Sequence, residues 1–122
     1  MPRYVILFHE TPPDFPRPTH YDLMLEWGES LRTWAISESP FDGCDLPAQL
    51  LPDHRLAYLD YEGPVSHDRG VVSRWDAGKY EIREENESRI EVGVEGIRLQ
   101  GMLLLSRDDS FDGRIRIGYI AR

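Results

Sequence analysis

An alternating stretch organises the chain: His20-Tyr21-Asp22-Leu23-Met24-Leu25-Glu26-Trp27. Its aromatic and leucine side chains fall on one side, whereas His20, Asp22 and Met24 fall on the other, which is the period of a half-buried β-strand. We expect the apolar side to line a core and the imidazole and carboxylate to project together from the opposite side. Their backbones would lie roughly 7 Å apart, so both side chains can reach one atom between them.

A third metal-ligand type precedes this stretch. His9 follows an apolar run at residues 3–8 and completes the set if the two predicted strands are neighbours. Two imidazoles and one carboxylate, from His9, His20 and Asp22, form a minimal protein set for a divalent metal with open coordination positions. The alternative is a hydrogen-bonded surface pair, which a His-x-Asp pair on a strand more often is.

Length and composition predict a single domain over residues 1–122, with 40% hydrophobic and 30% charged residues as in ordinary soluble proteins. No apolar run is long enough to span a membrane, and no signal-peptide core follows the first residues. The single cysteine, Cys44, excludes an internal disulfide and a cysteine-rich zinc site. Its acidic neighbours Asp42 and Asp45 would raise a thiol pKa, so we interpret Cys44 as structural and expect a reducing cytoplasm.

The formal net charge is −8, and Lys79 is the one lysine in the chain. A sequence-independent grip on duplex nucleic acid needs a row of basic side chains, which is missing here. If nucleic acid is the substrate, we expect the protein to hold a terminus, or a partner to supply the grip.

Short strands bounded by turn residues fill the chain, and no window keeps a helical apolar period for three turns. After a proline-rich loop at 9–19, a turn at 28–30 starts a hairpin, residues 37–52 are predicted as loop, and a polar turn is expected at 108–113. The predicted strands are 3–8, 20–27, 31–36, 58–65, 70–75, 79–83, 89–94, 96–105 and 113–120, with Asp76-Ala77-Gly78 as a hairpin turn between 70–75 and 79–83. This pattern predicts an all-β fold, either an antiparallel sandwich or a barrel, with short helical turns in its loops.

A second candidate constellation is His54 with Tyr58, four residues later. Imidazolium and phenol can both donate to an oxyanion, and the alternative is an exposed loop histidine beside a core tyrosine. His67 is interpreted as a turn residue, and its neighbour Arg69 as a candidate guanidinium for phosphate. The tryptophans fall in strand patterns and are predicted to be core residues rather than base-stacking platforms.

No nucleophile elbow, Walker loop or dinucleotide fingerprint is present. Hydrolysis by this chain would therefore need a metal to polarise a phosphoryl oxygen or to activate water.

Five motifs in order then resemble a known family. They are His-Tyr-Asp-Leu-x-Leu-Glu at 20–26, Leu-x-Thr-Trp-Ala-Ile at 31–36, Asp-His-x-Leu-x-Tyr-x-Asp-Tyr-Glu-Gly at 53–63, Trp-Asp-x-Gly-x-Tyr at 75–80, and Gly-x-x-Leu-x-Gly at 96–101 followed by Leu104-Leu105. This order resembles the 3′-phosphoesterase domain of bacterial ATP-dependent DNA ligase D, here as a stand-alone, divergent member. The resemblance covers roughly residues 3–107.

The resemblance implies a small curved β-barrel that removes a 3′-terminal ribonucleoside and a 3′-phosphate from a primer end before end joining. It implies a divalent metal, with Mn²⁺ expected first and Zn²⁺ or Co²⁺ as alternatives, held by His9, His20 and Asp22. The family's phosphate-side histidine and tyrosine fall on His54 and Tyr58. The expected partners are a nucleic-acid 3′ end or a small phosphate ester, and end-joining repair proteins.

Two positions depart from the family pattern. Met24 stands where the family carries a phosphate-gripping arginine, and Glu38 lies near a family lysine. Losing charge-assisted hydrogen bonds of roughly 1.5–3 kcal/mol each would slow catalysis by orders of magnitude, unless another arginine substitutes. The candidates are Arg17, Arg32 and Arg69. The alternatives are a binding module that keeps the metal pocket without hydrolysis, and a phosphoesterase for a small nucleotide metabolite.

Overall fold

The computed structural model describes residues 1–108 and 114–122. Within these ranges the chain forms nine strands and one short 3₁₀ segment, Leu56–Leu59. The strands are β1 (Arg3–Glu10), β2 (His20–Trp27), β3 (Ser30–Ile36), β4 (Cys44–Arg55), β5 (Gly63–Pro64), β6 (Val71–Glu85), β7 (Arg89–Gly96), β8 (Gln100–Asp108) and β9 (Arg114–Ala121). The polar turn predicted at 108–113 lies, after Asp108, outside the described residues.

Eight of these strands close into an antiparallel barrel. The strand order is β1-β2-β3-β4-β9-β8-β7-β6, and β6 pairs back onto β1, so no long edge is left open. The two-residue β5 pairs only with the start of β6. The all-β prediction is confirmed, and of its two architectures the barrel is the one formed. No helix in the described ranges has the length and apolar character that a membrane crossing requires.

Apolar side chains form two clusters, one on each face of the barrel wall. The interior cluster receives side chains from all eight barrel strands, including Tyr4, Ile6, Leu23, Trp34 and Cys44. The outer cluster lies on the opposite face of β1, β2 and β3, beneath the 3₁₀ segment: Val5, Leu7, Met24, Leu31, Leu59 and Val72. Alternation along β1 and β2 sends successive side chains to these two clusters in turn.

The outer cluster corrects the interpretation of β2 as half-buried. Met24 is 1% exposed, and His20 and Asp22 are 5% and 3% exposed, although all three occupy the side predicted to face solvent. The period-two pattern is present, but the face opposite the barrel interior has its own cover. A strand buried on both faces cannot be told from a half-buried one when polar functional residues occupy the second face.

The loop predicted at 37–52 was wrong in its second half, which forms the long strand β4. Cys44 and Leu46 point into the core while Asp45 and Pro47 are exposed, so the alternating signal was present but was outweighed by the prolines. Pro52 falls where the pairing of β3 with β4 shifts register between Leu31 and Thr33. A bulge tolerates a residue that has no N–H to donate.

The hairpin predicted around Asp76-Ala77-Gly78 was also wrong, because β6 runs unbroken through it. A Cβ on Gly78 would lie 2.1 Å from the Glu95 carbonyl oxygen, so the glycine permits close approach of β7 rather than a turn. Asp76 is 1% exposed and accepts hydrogen bonds from the Tyr4 hydroxyl (2.6 Å) and the Arg98 backbone N–H (2.7 Å). Asp76 and Gly78, which predict a turn, therefore stabilise contacts within the sheet instead.

The strand predicted at 58–65 is replaced by the 3₁₀ segment and β5. Leu59 is buried and Leu56 and Tyr58 pack against the outer cluster, so this segment covers the wall instead of extending it. The strand predicted at 96–105 begins later, at Gln100, because Gly96 and Leu99 close a turn through a 2.7 Å backbone hydrogen bond.

Candidate metal centre and its cleft

His9, His20 and Asp22 converge on the outer face of the barrel. His9 and His20 are register partners across β1 and β2, and Asp22 is two residues further along the same face of β2. One ligand atom from each residue can be chosen so that all lie within 4.8 Å of one another. The His9 Nδ1–Asp22 Oδ2 distance is 3.4 Å and the His20 Nε2–Asp22 Oδ1 distance is 3.0 Å.

In each imidazole, the nitrogen that does not approach Asp22 is hydrogen-bonded to a backbone carbonyl. His9 Nε2–H donates to the Arg69 carbonyl oxygen (2.6 Å), and His20 Nδ1–H donates to the Pro18 carbonyl oxygen (2.8 Å). A carbonyl can only accept, so these two nitrogens carry the hydrogens. In the neutral rings, the lone pairs of His9 Nδ1 and His20 Nε2 therefore face Asp22, which is the tautomer arrangement that metal-ligating histidines show.

The carboxylate of Asp22 has an unusual environment. Its Oδ1 is buried and, despite the 3.0 Å approach of His20, has no aligned hydrogen-bond partner in the described part of the chain. Burial alone would raise the pKa of Asp22, but in the metal-free protein hydrogen bonds from the rings of His20 and His9, protonated toward the carboxylate, outweigh burial and lower the pKa to about 2. Contact with Asp22 in turn raises the pKa of His9, against the opposing effect of burial. The carboxylate is therefore ionised, and its buried Oδ1, without an aligned donor in the described part of the chain, is open to a cation.

Local sequence chemistry places the two carbonyls that orient the rings. Pro18 ends the proline-rich loop, whose backbone is held by a hydrogen bond from the Thr11 hydroxyl to the Arg17 carbonyl oxygen (2.9 Å). Arg69 follows His67 and Asp68, which have positive φ angles of 62° and 54°, so this segment is the turn predicted around His67. Each loop therefore fixes the orientation of one imidazole through a backbone carbonyl: Pro18 orients His20 and Arg69 orients His9.

A cleft of about 380 Å³ opens over these ligands and is lined by most of the predicted site residues. The members that sequence analysis had named are His9, Arg17, His20, Asp22, Met24, His54, Tyr58 and Arg69. Glu38 is exposed and Arg32 lies elsewhere, so neither lines this cleft. Met24 contributes a buried thioether to the lining of the cleft.

His54 and Tyr58 share one wall of the cleft. The Nδ1–H of His54 donates to the Pro52 carbonyl oxygen (3.0 Å), and the ring meets that of Tyr58 edge-on at a centroid distance of 5.7 Å. The neutral ring therefore keeps its Nε2 available for a ligand. This pair lies where β4 leads into the 3₁₀ segment. None of the described ion pairs joins His54 to an acidic side chain.

Two of the three candidate arginines lie at the cleft and one does not. Arg17 and Arg69 line the cleft, and the guanidinium of Arg69 is anchored by hydrogen bonds to the Ser66 carbonyl (2.8 Å) and hydroxyl (2.9 Å). Arg32 stacks on Trp27 and Trp34, 4.6 and 5.3 Å from their ring centroids, on the face of β3 opposite to Leu31 and the outer cluster. The alternation of β3 therefore rules Arg32 out as a ligand in this cleft.

Sequence reasoning missed Arg55 and Phe15. Arg55 lines the cleft where β4 ends, next to His54, and the ring centroid of Phe15 lies 6.4 Å from that of His9. Arg55 occupies the unspecified position of the Asp-His-x-Leu motif at 53–56, so the motif itself does not mark it. The signal that would have found it is its position in the chain, beside a candidate phosphate-side histidine.

A comparison with known protein families places most of this chain within one family model. Residues 13–107 match the family described as the DNA Ligase D 3′-phosphoesterase domain. The resemblance predicted from the ordered motifs is confirmed. His20, Asp22, His54 and Tyr58 lie inside the matched segment, whereas His9 precedes it, so the position of His9 at the centre rests on the geometry of β1.

Curated proteins similar to this chain are named LigD. The multifunctional non-homologous end joining protein LigD of Pseudomonas aeruginosa is 31% identical over 96 residues, covering 72% of this chain and 11% of the relative. The LigD DNA repair protein of Mycobacterium tuberculosis is 28% identical over 100 residues, covering 75% of this chain and 13% of the relative. The chain thus spans little more than a tenth of the length of the curated relatives it matches.

Proposed function

The chain belongs to the DNA ligase D 3′-phosphoesterase domain family, and from this membership we propose that it is a divalent-metal-dependent phosphoesterase. Its substrate is the 3′ end of a nucleic-acid strand, from which it removes a phosphate or a terminal ribonucleotide during end-joining repair. The observation that carries the proposal is the convergence of two oriented imidazoles on a buried, ionised carboxylate inside a cleft.

The residues at the centre fit a divalent cation. Asp22 Oδ1 is buried without a hydrogen-bond partner among the described residues, and two imidazole lone pairs face the same carboxylate. Nitrogen and oxygen donors in this ratio suit Mn²⁺, with Zn²⁺ and Co²⁺ as alternatives. When bound by His9, His20 and Asp22, such a cation supplies Lewis-acid polarisation of a phosphoryl oxygen.

The remaining cleft residues act on the phosphate and the leaving group. His54 presents Nε2 to the cleft because its other nitrogen is engaged by Pro52, so it can hold or deliver a proton at the leaving oxygen. The Tyr58 hydroxyl orients the same group by hydrogen bonding. Arg17 and Arg69 offset the phosphate charge from the proline-rich loop and the His67 turn.

The charge distribution favours an end over a duplex as the ligand. With a net charge of −8 the chain repels a long phosphate backbone, but the cleft collects arginines at one place. A single terminal phosphate can use those arginines and the cation together, without the row of cationic side chains that duplex binding needs.

Phosphate release from a short primer ending in a 3′-phosphate tests the proposal. Wild-type protein with Mn²⁺ should release inorganic phosphate and EDTA should stop it. His20→Ala should abolish release, whereas His67→Ala is the matched control, because His67 is an exposed turn histidine outside the cleft. Release that is equal for wild type and His20→Ala would reject the proposal.

A binding module is the second candidate, and Met24 is the observation that favours it. The family resemblance implies a phosphate-binding guanidinium at this position, whereas Met24 provides a buried thioether. A module of this kind would bind Mn²⁺ and a 3′-phosphate end and release no phosphate. Calorimetric titration of Mn²⁺, followed by the release assay on the same sample, separates the two functions.

A further inference from the structure

A second depression, of about 210 Å³, opens beside the metal-centre cleft. The two share Arg55, Tyr58 and Val65 as lining residues, so one ligand can occupy both. The rest of the second depression is formed by Ala57 and by the segment that leads into β6: Tyr61, Pro64 and Ser66. We call it the outer depression.

Aromatic rings lead from the cleft into the outer depression. Tyr58 meets His54 edge-on on one side and Tyr61 edge-on on the other, each at a centroid distance of 5.7 Å. Tyr61 is 37% exposed, and its hydroxyl donates to the Pro64 carbonyl oxygen, which holds the ring in place. A fixed, partly exposed ring next to a phosphate site is the arrangement on which nucleobases stack.

Arg55 stands where the two cavities join. It is exposed, and none of the described ion pairs involves it. Five other arginines pair with carboxylates among the described residues, Arg3 and Arg116 among them at 2.6 and 2.8 Å. A guanidinium left without an acid at the mouth of a cleft is available for an anionic ligand.

We propose that the outer depression is the subsite for the nucleoside whose 3′ oxygen carries the bound phosphate. The base stacks on Tyr61, and Arg55 binds the phosphate at the junction, supplying the guanidinium that Met24 does not. The inference rests on the proposed function for the position of the phosphate, and it identifies the substrate as a nucleotide end rather than any phosphate ester.

Binding of a short labelled oligonucleotide ending in a 3′-phosphate tests the subsite by fluorescence anisotropy. Two probes are compared, one with an ordinary terminal nucleoside and one with an abasic terminal residue. Titrations are run in EDTA, where no turnover can alter the probe. Wild-type protein should prefer the ordinary end by about tenfold, the lower part of the range for one stacked base.

Substitutions separate stacking from charge. Tyr61→Ala should remove the preference by weakening only the ordinary probe, and Tyr61→Phe should retain it, because the ring remains although the hydrogen bond to Pro64 is lost. Phe41→Ala, at an exposed aromatic residue outside both cavities, should change nothing. Arg55→Gln should weaken both probes about tenfold and reduce the salt dependence of binding by about one phosphate contact.

Arg83→Gln is the control for charge, since Arg83 pairs with Glu81 away from both cavities. Equal affinity of wild-type protein for the two probes would overturn the subsite. So would an equal loss for both probes in Tyr61→Ala, or an Arg55→Gln variant that binds like wild type.

The phosphate-release assay is scored separately, so the two proposals can fail independently. Base preference without release would retain the subsite and reject the phosphoesterase, whereas release without base preference would do the reverse.

Discussion

His9 and His20 lie directly opposite each other across β1 and β2, with ring centroids 4.9 Å apart. The same register places Tyr4 opposite Leu25 and Ile6 opposite Leu23, and all four of these pack in the barrel interior. A slip of one residue would send every side chain of the strand to the other face. The packing of the barrel core therefore fixes the pair of imidazoles on the outer face.

Metal binding should stabilise the fold and should depend on this pair. Mn²⁺ at about 100 times its Kd adds about 2.7 kcal/mol to the free energy of unfolding, which raises Tm by several degrees. His9→Ala, His20→Ala and Asp22→Ala should each lose this rise, measured by thermal denaturation with and without Mn²⁺. His67→Ala should keep it, and an unchanged rise in His20→Ala would show that the cation binds elsewhere.

Sequence reasoning placed the strands β1 and β2 that carry the candidate metal ligands, but it misread parts of the barrel wall. His9, His20 and Asp22 lie on β1 and β2, where alternation is clean, and the pairing of these strands brings the three side chains together. The errors fall on β4 and β6, where prolines and a glycine signal turns. Pro52 lies at a bulge, Pro47 lies beyond the last β3–β4 pair, and Gly78 permits close strand packing. Such positions are decided by neighbouring strands distant in the chain, which local propensity does not contain.

The outer cluster was also beyond sequence reasoning, because it depends on what covers the wall. Met24→Ala should reduce the free energy of unfolding by about 2–5 kcal/mol, as expected for a methionine truncated inside a packed cluster. Met102→Ala, at a half-buried position of the same residue type, should cost less. Urea denaturation measures both, and a loss for Met24→Ala no greater than for Met102→Ala would mean that the outer cluster is loosely packed.

Asp76 should be a structural residue despite its place in a family motif. Its carboxylate accepts from the Tyr4 hydroxyl and from the backbone N–H groups of Arg98 and Leu99, at 2.6, 2.7 and 3.2 Å. Asp76→Ala leaves these donors buried without a partner, and we expect a loss on the order of 3 kcal/mol in urea denaturation. Asp60→Ala, which removes an exposed partner of Arg3, should have little effect.

Gly70 should be required beside the metal centre. Its φ is +96°, and a Cβ would lie 2.0 Å from the Glu10 carbonyl oxygen, next to His9. Gly70→Ala should cost more than about 1 kcal/mol of stability and should weaken Mn²⁺ binding by displacing the end of β1. Gly28→Ala is the control, since Gly28 also has a positive φ (+64°) but meets nothing within 4 Å. Calorimetric Mn²⁺ affinity equal in the two variants would contradict this role of Gly70.

The metal-free protein should show a pH dependence that originates at Asp22. Because its pKa is lowered from 3.8 to about 2, the ionised carboxylate stabilises the fold above the unfolded pKa, by on the order of 2 kcal/mol, and this is lost as the pH falls through about 2. The raised pKa of His9 acts in the opposite direction, so its contribution is present below about 6.5 and is lost as the pH rises through the folded value.

The difference in unfolding free energy between wild type and Asp22→Asn, measured in EDTA, should therefore be largest near pH 5 and shrink on both sides. Asp45→Asn is the matched control, because Asp45 is an exposed partner of Arg116, and its difference from wild type should stay small throughout. A difference between wild type and Asp22→Asn that does not vary with pH would mean that the carboxylate and the two imidazoles do not interact in the metal-free fold, which would remove the electrostatic basis for a cation site between them.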